Sequence, residues 1–353
     1  MTPRELGYRM PPEWVTHKAT WLSWPHNIHT WPEKSMEQIW ATFVELVRFL
    51  VPHEEVHINT TGTEMEQEVL TLMRKSGIGR DYFERIFFHP FGTNDAWCRD
   101  HGPNYILREQ NGKIEKAIID WGYNAWGGKY PPFDLDDAIP TKIAEWQGLP
   151  CFHPQMILEG GSIDVNGKGC LLTTTSCLLN PNRNPHLSQT QIEQMLRDYL
   201  GVTHILWLGE GIVGDDTDGH VDDITRFVSP DTIVTAIEED KSDANYEPLR
   251  ENYERLQKMT DQDGKPFRIV TIPMPEPVYE RGQRLPASYA NFYIANNVVL
   301  VPTFRSKNDI RALEILQSLF PTRRVHGIDC THLIWGLGAI HCVTHEEPAC
   351  EPF

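Results

Sequence analysis

The order of its strand-like and helix-like segments constrains the fold of this chain more than any other sequence feature. Short runs rich in β-branched and aromatic residues predict strands, and longer segments with apolar residues at helical spacing predict helices. The predicted strands cover residues 19–24, 55–59, 85–89, 105–107, 117–119, 169–174, 204–207, 224–228, 232–236, 268–271, 291–294 and 298–301. The predicted helices cover residues 35–50, 64–75, 188–200, 246–259 and 308–319. Because two or more strands separate several helices, an α/β fold of repeated ββα-type modules fits better than a doubly wound sheet.

Two of the predicted helices begin with capping signals. Ser188 followed by Gln191 resembles a capping box, and Asn308 is positioned to cap the last helix. No internal sequence repeat is visible, so periodicity by itself predicts a mixed α/β protein and no particular closure of the sheets.

The chain is predicted to form one domain, 1–353, because no Gly/Ser-rich or Pro-rich linker interrupts it. Its formal charge of −17, from 32 Lys+Arg against 49 Asp+Glu, opposes binding to nucleic acid or to an anionic membrane and favours a cationic ligand. Ordinary solubility would explain the same charge, so the placement of individual acids has to decide. The oligomeric state stays open, and a homo-oligomer is possible.

Cysteine usage and hydropathy indicate a cytoplasmic protein. No apolar run approaches the roughly 20 residues of a membrane span, and the polar start lacks a signal-peptide core. The seven cysteines are an odd, scattered set without a Cys-x-x-Cys pair. They therefore predict reduced thiols, most of them simply packed, and neither a disulfide framework nor a structural zinc site.

Four glycine-punctuated segments contain the residues that could do chemistry. Three bear acids: one contains Asp100 within 94–103, one contains Glu159 within 158–162, and one contains His220 and Asp222 within 214–223. The fourth, 336–342, ends at Cys342. All four adjoin strand-like runs, where loops commonly display functional side chains.

Cys342 is a candidate nucleophile, although a thiol beside a histidine is more often an inert packed residue. Gly336 and Gly338 allow close backbone approach or positive φ, which would leave the thiol near a tight loop. His341 directly precedes Cys342, and neighbouring residues of an extended segment point to opposite faces. The base should therefore come from another segment.

His220 is the natural base, because in an extended 219–222 segment its side chain would share one face with Asp222. A calcium-like acidic loop or a solvated turn would explain the same residues. Asp100 could equally cap its turn or pair with an arginine, and Glu159 could be an ordinary loop acid.

Taken together and in order, these segments resemble the agmatine deiminase and bacterial-type peptidyl-arginine deiminase family. The resemblance extends from Met-Pro-Pro-Glu-Trp at 10–14 through Trp-Cys-Arg-Asp-His-Gly-Pro at 97–103, Glu-Gly-Gly at 159–161 and Gly-His-Val-Asp at 219–222. It continues through Pro-Ala-Ser-Tyr-Ala-Asn-Phe-Tyr at 286–293 to Ile-His-Cys at 340–342. It thus spans nearly the whole chain and implies the pentein fold, a five-bladed α/β propeller of ββαβ-like modules around a central pocket.

The resemblance implies hydrolysis of a guanidine through a covalent amidino-cysteine intermediate, with no metal and no cofactor. It makes Cys342 the nucleophile and His220 the acid/base, with Asp100 and Asp222 binding the guanidinium and Glu159 supporting the site. The residue types suit this chemistry, since carboxylates match the forked N–H donors of a guanidinium and a thiolate is a strong nucleophile.

Agmatine is the expected substrate, converted to N-carbamoylputrescine and ammonia for putrescine synthesis. A C-terminal peptidyl-arginine would bring a carboxylate that calls for arginine contacts, and the corresponding stretch 121–128 contains none. Trp97 and Trp126 could line the aliphatic part of the ligand, and Asn291 could hydrogen-bond to it. Leu337 and Ala339 depart from the Gly-Gly-Gly-Asn that agmatine deiminases usually carry before Ile-His-Cys, which predicts a change in loop shape and substrate preference.

Three other functions compete with this one: a peptidyl-arginine deiminase, a metal hydrolase built on His220, Asp222, Asp223 and Asp100, and a guanidine-binding protein without catalysis. A metal hydrolase would lose activity to a chelator, whereas a thiol enzyme would lose it to iodoacetamide. A binding protein would release no ammonia.

Overall fold

The computed structural model, which describes residues 1–353, contains six sheets: five mixed sheets that repeat the same pairing pattern, and one two-stranded antiparallel sheet. The strands are β1 His17–Ser23, β2 Glu55–Asn59, β3 Ile86–His89, β4 Asn104–Gln110, β5 Lys113–Ile119, β6 Cys151–Phe152, β7 Asp164–Val165, β8 Cys170–Thr174, β9 His204–Leu208, β10 Thr225–Ser229, β11 Thr232–Ile237, β12 Arg268–Pro273, β13 Tyr279–Glu280, β14 Gln283–Arg284, β15 Tyr293–Ile294, β16 Val298–Thr303, β17 Arg324–Asp329 and β18 His345–Pro348.

Helices connect the strands of each sheet. Those longer than two turns are α1 Met36–Leu50, α2 Thr63–Lys75, α6 Ile139–Gln147, α8 Gln189–Leu200, α9 Tyr246–Leu256 and α10 Asp309–Leu319. The single turns are α3 Cys98–His101, α4 Ala125–Gly128, α5 Asp134–Asp137, α7 Thr175–Leu178 and α11 Ile340–Val343. Short 3₁₀ turns cover Glu33–Ser35, Arg80–Arg85, Gly160–Ser162, Val221–Asp223 and Leu333–Gly336. None of the helices is both long and apolar enough to span a bilayer.

Each of the five mixed sheets begins with an antiparallel pair and continues with a parallel pair. The orders are β4-β5-β6, β7-β8-β9, β10-β11-β12 and β15-β16-β17, and β18-β1-β2-β3 forms the first module with one extra strand. A helix lies in every parallel connection, since such strands need a crossover. The last strand, β18, pairs antiparallel with β1, which brings the two ends of the chain together.

All of the predicted helices and strands are present, with ends that differ by at most four residues. The capping box is confirmed, because Ser188 Oγ accepts from the Gln191 N–H and the Gln191 side chain accepts from the Ser188 N–H. The prediction that Asn308 caps the last helix is wrong, because its side chain makes no capping hydrogen bond. Its side-chain amide instead donates to the Met274 carbonyl at 2.8 Å, so it ties two modules together.

The sequence did not predict β17, whose six residues include only two β-branched ones, nor several strands that are short or polar. β6, β7, β13 and β14 have two residues each, too few for an alternating pattern. β18 reads His-Glu-Glu-Pro and is nevertheless buried, because Glu346 pairs with Arg99 at 2.8 Å and Glu347 pairs with Lys116 at 2.8 Å. Helix α6 was also missed, although Pro140 in its first turn and a left-handed Gly148 at its end mark its limits.

Candidate active site

Every module contributes to one site from the segment directly before its first strand. Asp100 lies in α3 before β4, and Glu159 begins the 3₁₀ turn before β7. The turn before β10 contains Asp222, and Asn291 precedes β15. Cys342 lies in α11 before β18, which opens the first module. The separated segments of the sequence therefore meet because they occupy equivalent positions in repeated modules.

The side chains of His220, Asp100 and Asp222 converge around Gly161. A methyl group on its Cα would lie 2.6 Å from His220 Nδ1, 2.8 Å from Asp100 Oδ1 and 3.0 Å from Asp222 Oδ2. The Gly161 N–H also donates to Asp100 Oδ1 at 3.0 Å. Only a residue without a side chain leaves room for an imidazole and two carboxylates at this distance.

The Cys342 thiol completes the cluster. Its Sγ lies 4.0 Å from Asp222 Oδ2 and receives a hydrogen bond from Asn291 Nδ2 at 3.1 Å. Asn291 Oδ1 in turn accepts from the His341 N–H at 2.9 Å, which fixes the turn that bears the thiol. Cys342 is 5% exposed and lies on the wall of a cavity of about 670 Å³ that Trp97, Asp100 and Trp126 also line.

His220 lies between two carboxylates. Its Nδ1 is 3.7 Å from Asp100 Oδ1, and its Nε2 is 3.9 Å from Glu159 Oε2. Burial alone would lower the pKa of His220, but the Asp100 charge and the contacts with Cys177 and Glu159 outweigh it and hold this pKa well above its usual value. The imidazole is therefore poised to carry a proton.

The surroundings raise the pKa of the thiol as well, which for a thiol favours the neutral form. Burial raises the pKa of Cys342 well above its usual value, and the charges of Asp222, Asp223 and Asp100 raise it further. Before a cation enters the site, the neutral thiol is accordingly the favoured form. The sequence left open which influence on this thiol prevails.

The two guanidinium-binding candidates differ electrostatically. Burial raises the pKa of Asp100, and Asp222 and Glu159 add to the rise. Burial acts on Asp222 too, but its hydrogen bond and ion pair with His341 outweigh burial and lower its pKa. Asp222 Oδ2 lies 2.7 Å from His341 Nδ1, and its Oδ1 is buried without a partner in the protein.

The expected geometry of three segments needs correction. Residues 221–223 form a 3₁₀ turn and are not extended, so His220 and Asp222 do not share a strand face. Cys342 lies in a single helical turn and not in an extended segment. Positive φ falls on Leu337, at 71°, while Gly336 and Gly338 are needed because Trp31 and Trp97 pack against them.

Two of the three secondary binding candidates, Trp97 and Trp126, line the cavity, and Asn291 does not. Trp126 Nε1 donates to Asp100 Oδ2 at 3.0 Å, from a left-handed backbone with φ 56°. Trp97 and Leu337 line the cavity, whereas Ala339 is buried behind it. Asn291 contacts the thiol and Asp223 and does not line the cavity.

Two residues that the sequence analysis missed act on this site. Arg183 donates to Glu159 Oε1 at 2.6 Å and to Asp218 Oδ2 at 2.6 Å, which joins Glu159 to the loop of His220. Lys129 lines the cavity and donates to the Asp216 carbonyl at 2.6 Å and to Asp218 Oδ1 at 2.9 Å. These pairings also show that the Asp218 carboxylate of the acidic loop is taken by Arg183 and Lys129, which disfavours the calcium-loop hypothesis.

Beyond the thiol, the cavity is acidic. Asp95, Asp136 and Asp216 line it together with Asp100, and no arginine does. Burial raises the pKa of Asp95 to about 6 and that of Asp136 to about 7. Lys129, the one lysine of the lining, is already paired with aspartates.

The fold and the site together define a pentein with a thiol, an imidazole and paired carboxylates at its centre. The chain belongs to the Porphyromonas-type peptidyl-arginine deiminase family, whose sequence model matches residues 9–348. It is 34% identical over 378 residues to the agmatine deiminase of Medicago truncatula, covering 99% of this chain and 98% of that protein. These likenesses confirm the resemblance inferred from the motifs.

Solved structures agree. Agmatine deiminase of Enterococcus faecalis superposes with a TM-score of 0.89 at 33% identity, covering 98% of this chain and 97% of that one. C. jejuni agmatine deiminase with substrate bound superposes with a TM-score of 0.86 at 32% identity, covering 97% of each chain. The pentein fold predicted from the resemblance is confirmed.

Proposed function

We propose that this chain is an agmatine deiminase, which hydrolyses agmatine to N-carbamoylputrescine and ammonia. One observation carries the proposal: Cys342 and Asp100 line a cavity whose lining includes further aspartates and no arginine, while Asp222 lies 4.0 Å from the thiol and His220 lies 3.7 Å from Asp100. A ligand with a guanidinium at one end and an ammonium at the other fits this charge pattern. The named relatives support the same substrate.

Binding of the guanidinium prepares the nucleophile. The cation pairs with Asp100 and Asp222, the carboxylates whose charges help to raise the pKa of Cys342. Once these charges are compensated, the thiol pKa falls and its proton leaves to solvent. The thiolate then attacks the guanidinium carbon and forms a tetrahedral adduct.

His220 serves both halves of the reaction. In its protonated form it gives a proton to the departing nitrogen, and ammonia leaves as the carbon–nitrogen bond breaks. The amidino group stays on Cys342. Neutral His220 then removes a proton from water, which attacks the same carbon, and collapse of the second adduct releases the thiolate and the ureido product. Glu159, held by Arg183, orients the imidazole for both steps.

The proposal also covers the domain organisation and the cellular location of the enzyme. Residues from 100 to 342 build one site, so we propose a single catalytic domain spanning 1–353. The seven cysteines are unpaired, in keeping with a cytoplasmic enzyme that supplies a precursor of putrescine.

Product analysis with three guanidines tests the substrate. The protein is incubated with agmatine, arginine and a peptide that ends in arginine, and the ureido product of each is measured. Agmatine should be strongly preferred, and Cys342→Ala should abolish turnover while Cys170→Ala, which changes a buried thiol elsewhere, should not. Preference for the peptide would instead favour peptidyl-arginine deimination, with Lys129 meeting the peptide carboxylate. Loss of activity to a chelator would favour the metal hydrolase.

A further inference from the structure

His341 and Glu13 lie in motifs that the sequence analysis singled out, yet neither has a task in the reaction above. Both are buried, His341 at 2% exposure and Glu13 at 6%. The His341 ring bridges two carboxylates, with Nδ1 2.7 Å from Asp222 Oδ2 and Nε2 2.7 Å from Glu13 Oε2. Such short contacts on both ring nitrogens fix the plane of the ring.

Glu13 is itself firmly anchored. Its Oε2 accepts from Arg226 Nη2 at 2.8 Å, and its Oε1 accepts from the Ile294 N–H at 2.7 Å. Arg226 is held in turn by Asp164 and by the Phe292 carbonyl. Burial would raise the pKa of Glu13, but Arg226 and His341 hold it well below its usual value.

We propose that Glu13 and His341 form a relay that orients the Asp222 carboxylate, so that its free oxygen faces the bound guanidinium. The inference rests on the proposed function. Asp222 Oδ1 is buried and without a partner in the protein, while Oδ2 is taken by His341. Because both ring nitrogens of His341 are engaged, it acts through Asp222 as a positioning residue and not as a base.

The ionised form of Asp222 depends on the same contact. His341, His220 and Arg226 lower its pKa against burial, and His341 contributes the most of the three. The charged and titratable groups around it are His341, His220, Arg226, Asp100, Asp215, Asp223 and Cys342. Removal of His341 should raise the pKa of Asp222, so that Asp222 becomes protonated at higher pH and ceases to bind a cation there.

A pair of substitutions at His341 tests the relay. In His341→Asn the amide can take the place of Nδ1 and still donate to Asp222, whereas in His341→Gln the amide reaches the place of Nε2 and leaves Asp222 unpartnered. Loss of a hydrogen bond to a charged group predicts that His341→Gln raises KM for agmatine about 10- to 100-fold, with kcat changed less than about threefold. His341→Asn should raise KM less than about tenfold. The acid limb of kcat/KM should move to higher pH, further in the Gln variant.

His89→Gln, which alters a buried histidine on β3 away from the site, is the matched control. Thermal unfolding of each variant verifies that it folds, and binding of agmatine to the double variants with Cys342→Ala measures affinity without turnover. Equal effects of the Asn and Gln variants, a fall in kcat alone, or an unmoved acid limb of kcat/KM would overturn the relay but leave the proposed function intact. If the proposed function itself is wrong, the wild-type protein will not turn over agmatine.

Discussion

Gly161→Ala is the substitution that most directly tests the convergence of the site. Gly161 has no positive φ, so alanine can adopt its backbone and the methyl group is the only change. The methyl would lie 2.6, 2.8 and 3.0 Å from atoms of His220, Asp100 and Asp222, against an ordinary contact of at least 3.4 Å. The three side chains must therefore move by 0.8, 0.6 and 0.4 Å, or the loop must shift as a whole.

The expected cost follows from these displacements. Overpacking of this kind destabilises a fold by about 1–3 kcal/mol, and a misplacement near 1 Å at a reacting centre costs roughly 100-fold in rate. We expect kcat/KM for agmatine to fall about 100-fold while the protein stays folded. Turnover is followed by the ureido product, and folding by thermal unfolding.

Gly92→Ala is the control, because a methyl there would meet no atom within 4 Å and its backbone needs no positive φ. It should keep wild-type activity. A Gly161→Ala variant with unchanged kcat/KM and unchanged stability would refute the convergence of His220, Asp100 and Asp222 around this glycine.

Two further predictions concern the thiol and the remote end of the cavity. Since the pKa of Cys342 is raised well above its usual value, its alkylation by iodoacetamide should be slow at pH 7 and become faster as the pH rises past 9. Mass spectrometry measures the rate, with the exposed Cys350 as internal reference. A rate already maximal at pH 7 would contradict the neutral resting thiol. Lys129→Met should raise the ratio of kcat/KM for agmatine to that for a peptide ending in arginine, because it removes the one lysine of the cavity lining. A lower ratio would contradict the acidic recognition of agmatine.

The sequence identified the residues that lie close together in the fold, but it did not predict their geometry. Cys342, His220, Asp100, Asp222 and Glu159 were singled out as candidates because each lies in a glycine-punctuated motif of a recognisable family. Their arrangement was not predictable from local spacing: the contact of Asp222 with His341 joins residues 119 positions apart. The segment expected to be extended at 219–222 instead enters a 3₁₀ turn at 221–223, which strand propensity did not predict.

The sequence did not reveal that Arg183 and Glu13 take part in the site, for a related reason. An arginine or glutamate in a polar stretch looks solvent-exposed, and only the fold reveals that Arg183 is 3% exposed and Glu13 6%. A signal existed for Glu13, since it lies in the Met-Pro-Pro-Glu-Trp motif at 10–14, which is part of the family resemblance. The fold itself was recognisable from the family resemblance, whereas the two-residue strands and buried polar β18 carry no pattern that hydropathy could detect.

Closure of the fold also links the turn of Cys342 to Asp100. Cys342 lies three residues before the start of β18, and β18 pairs with β1 to complete the first module. Glu346 on this strand binds Arg99 at 2.8 Å, and Arg99 directly precedes Asp100. A buried ion pair thus connects the strand that follows the thiol with the turn that bears Asp100, a carboxylate proposed to bind the guanidinium. Because a buried charge left without its partner is strongly destabilising, this strand and this turn are held in one relative position whenever the sheet is closed. The reactive geometry is in this way a consequence of the same strand pairing that joins the chain ends.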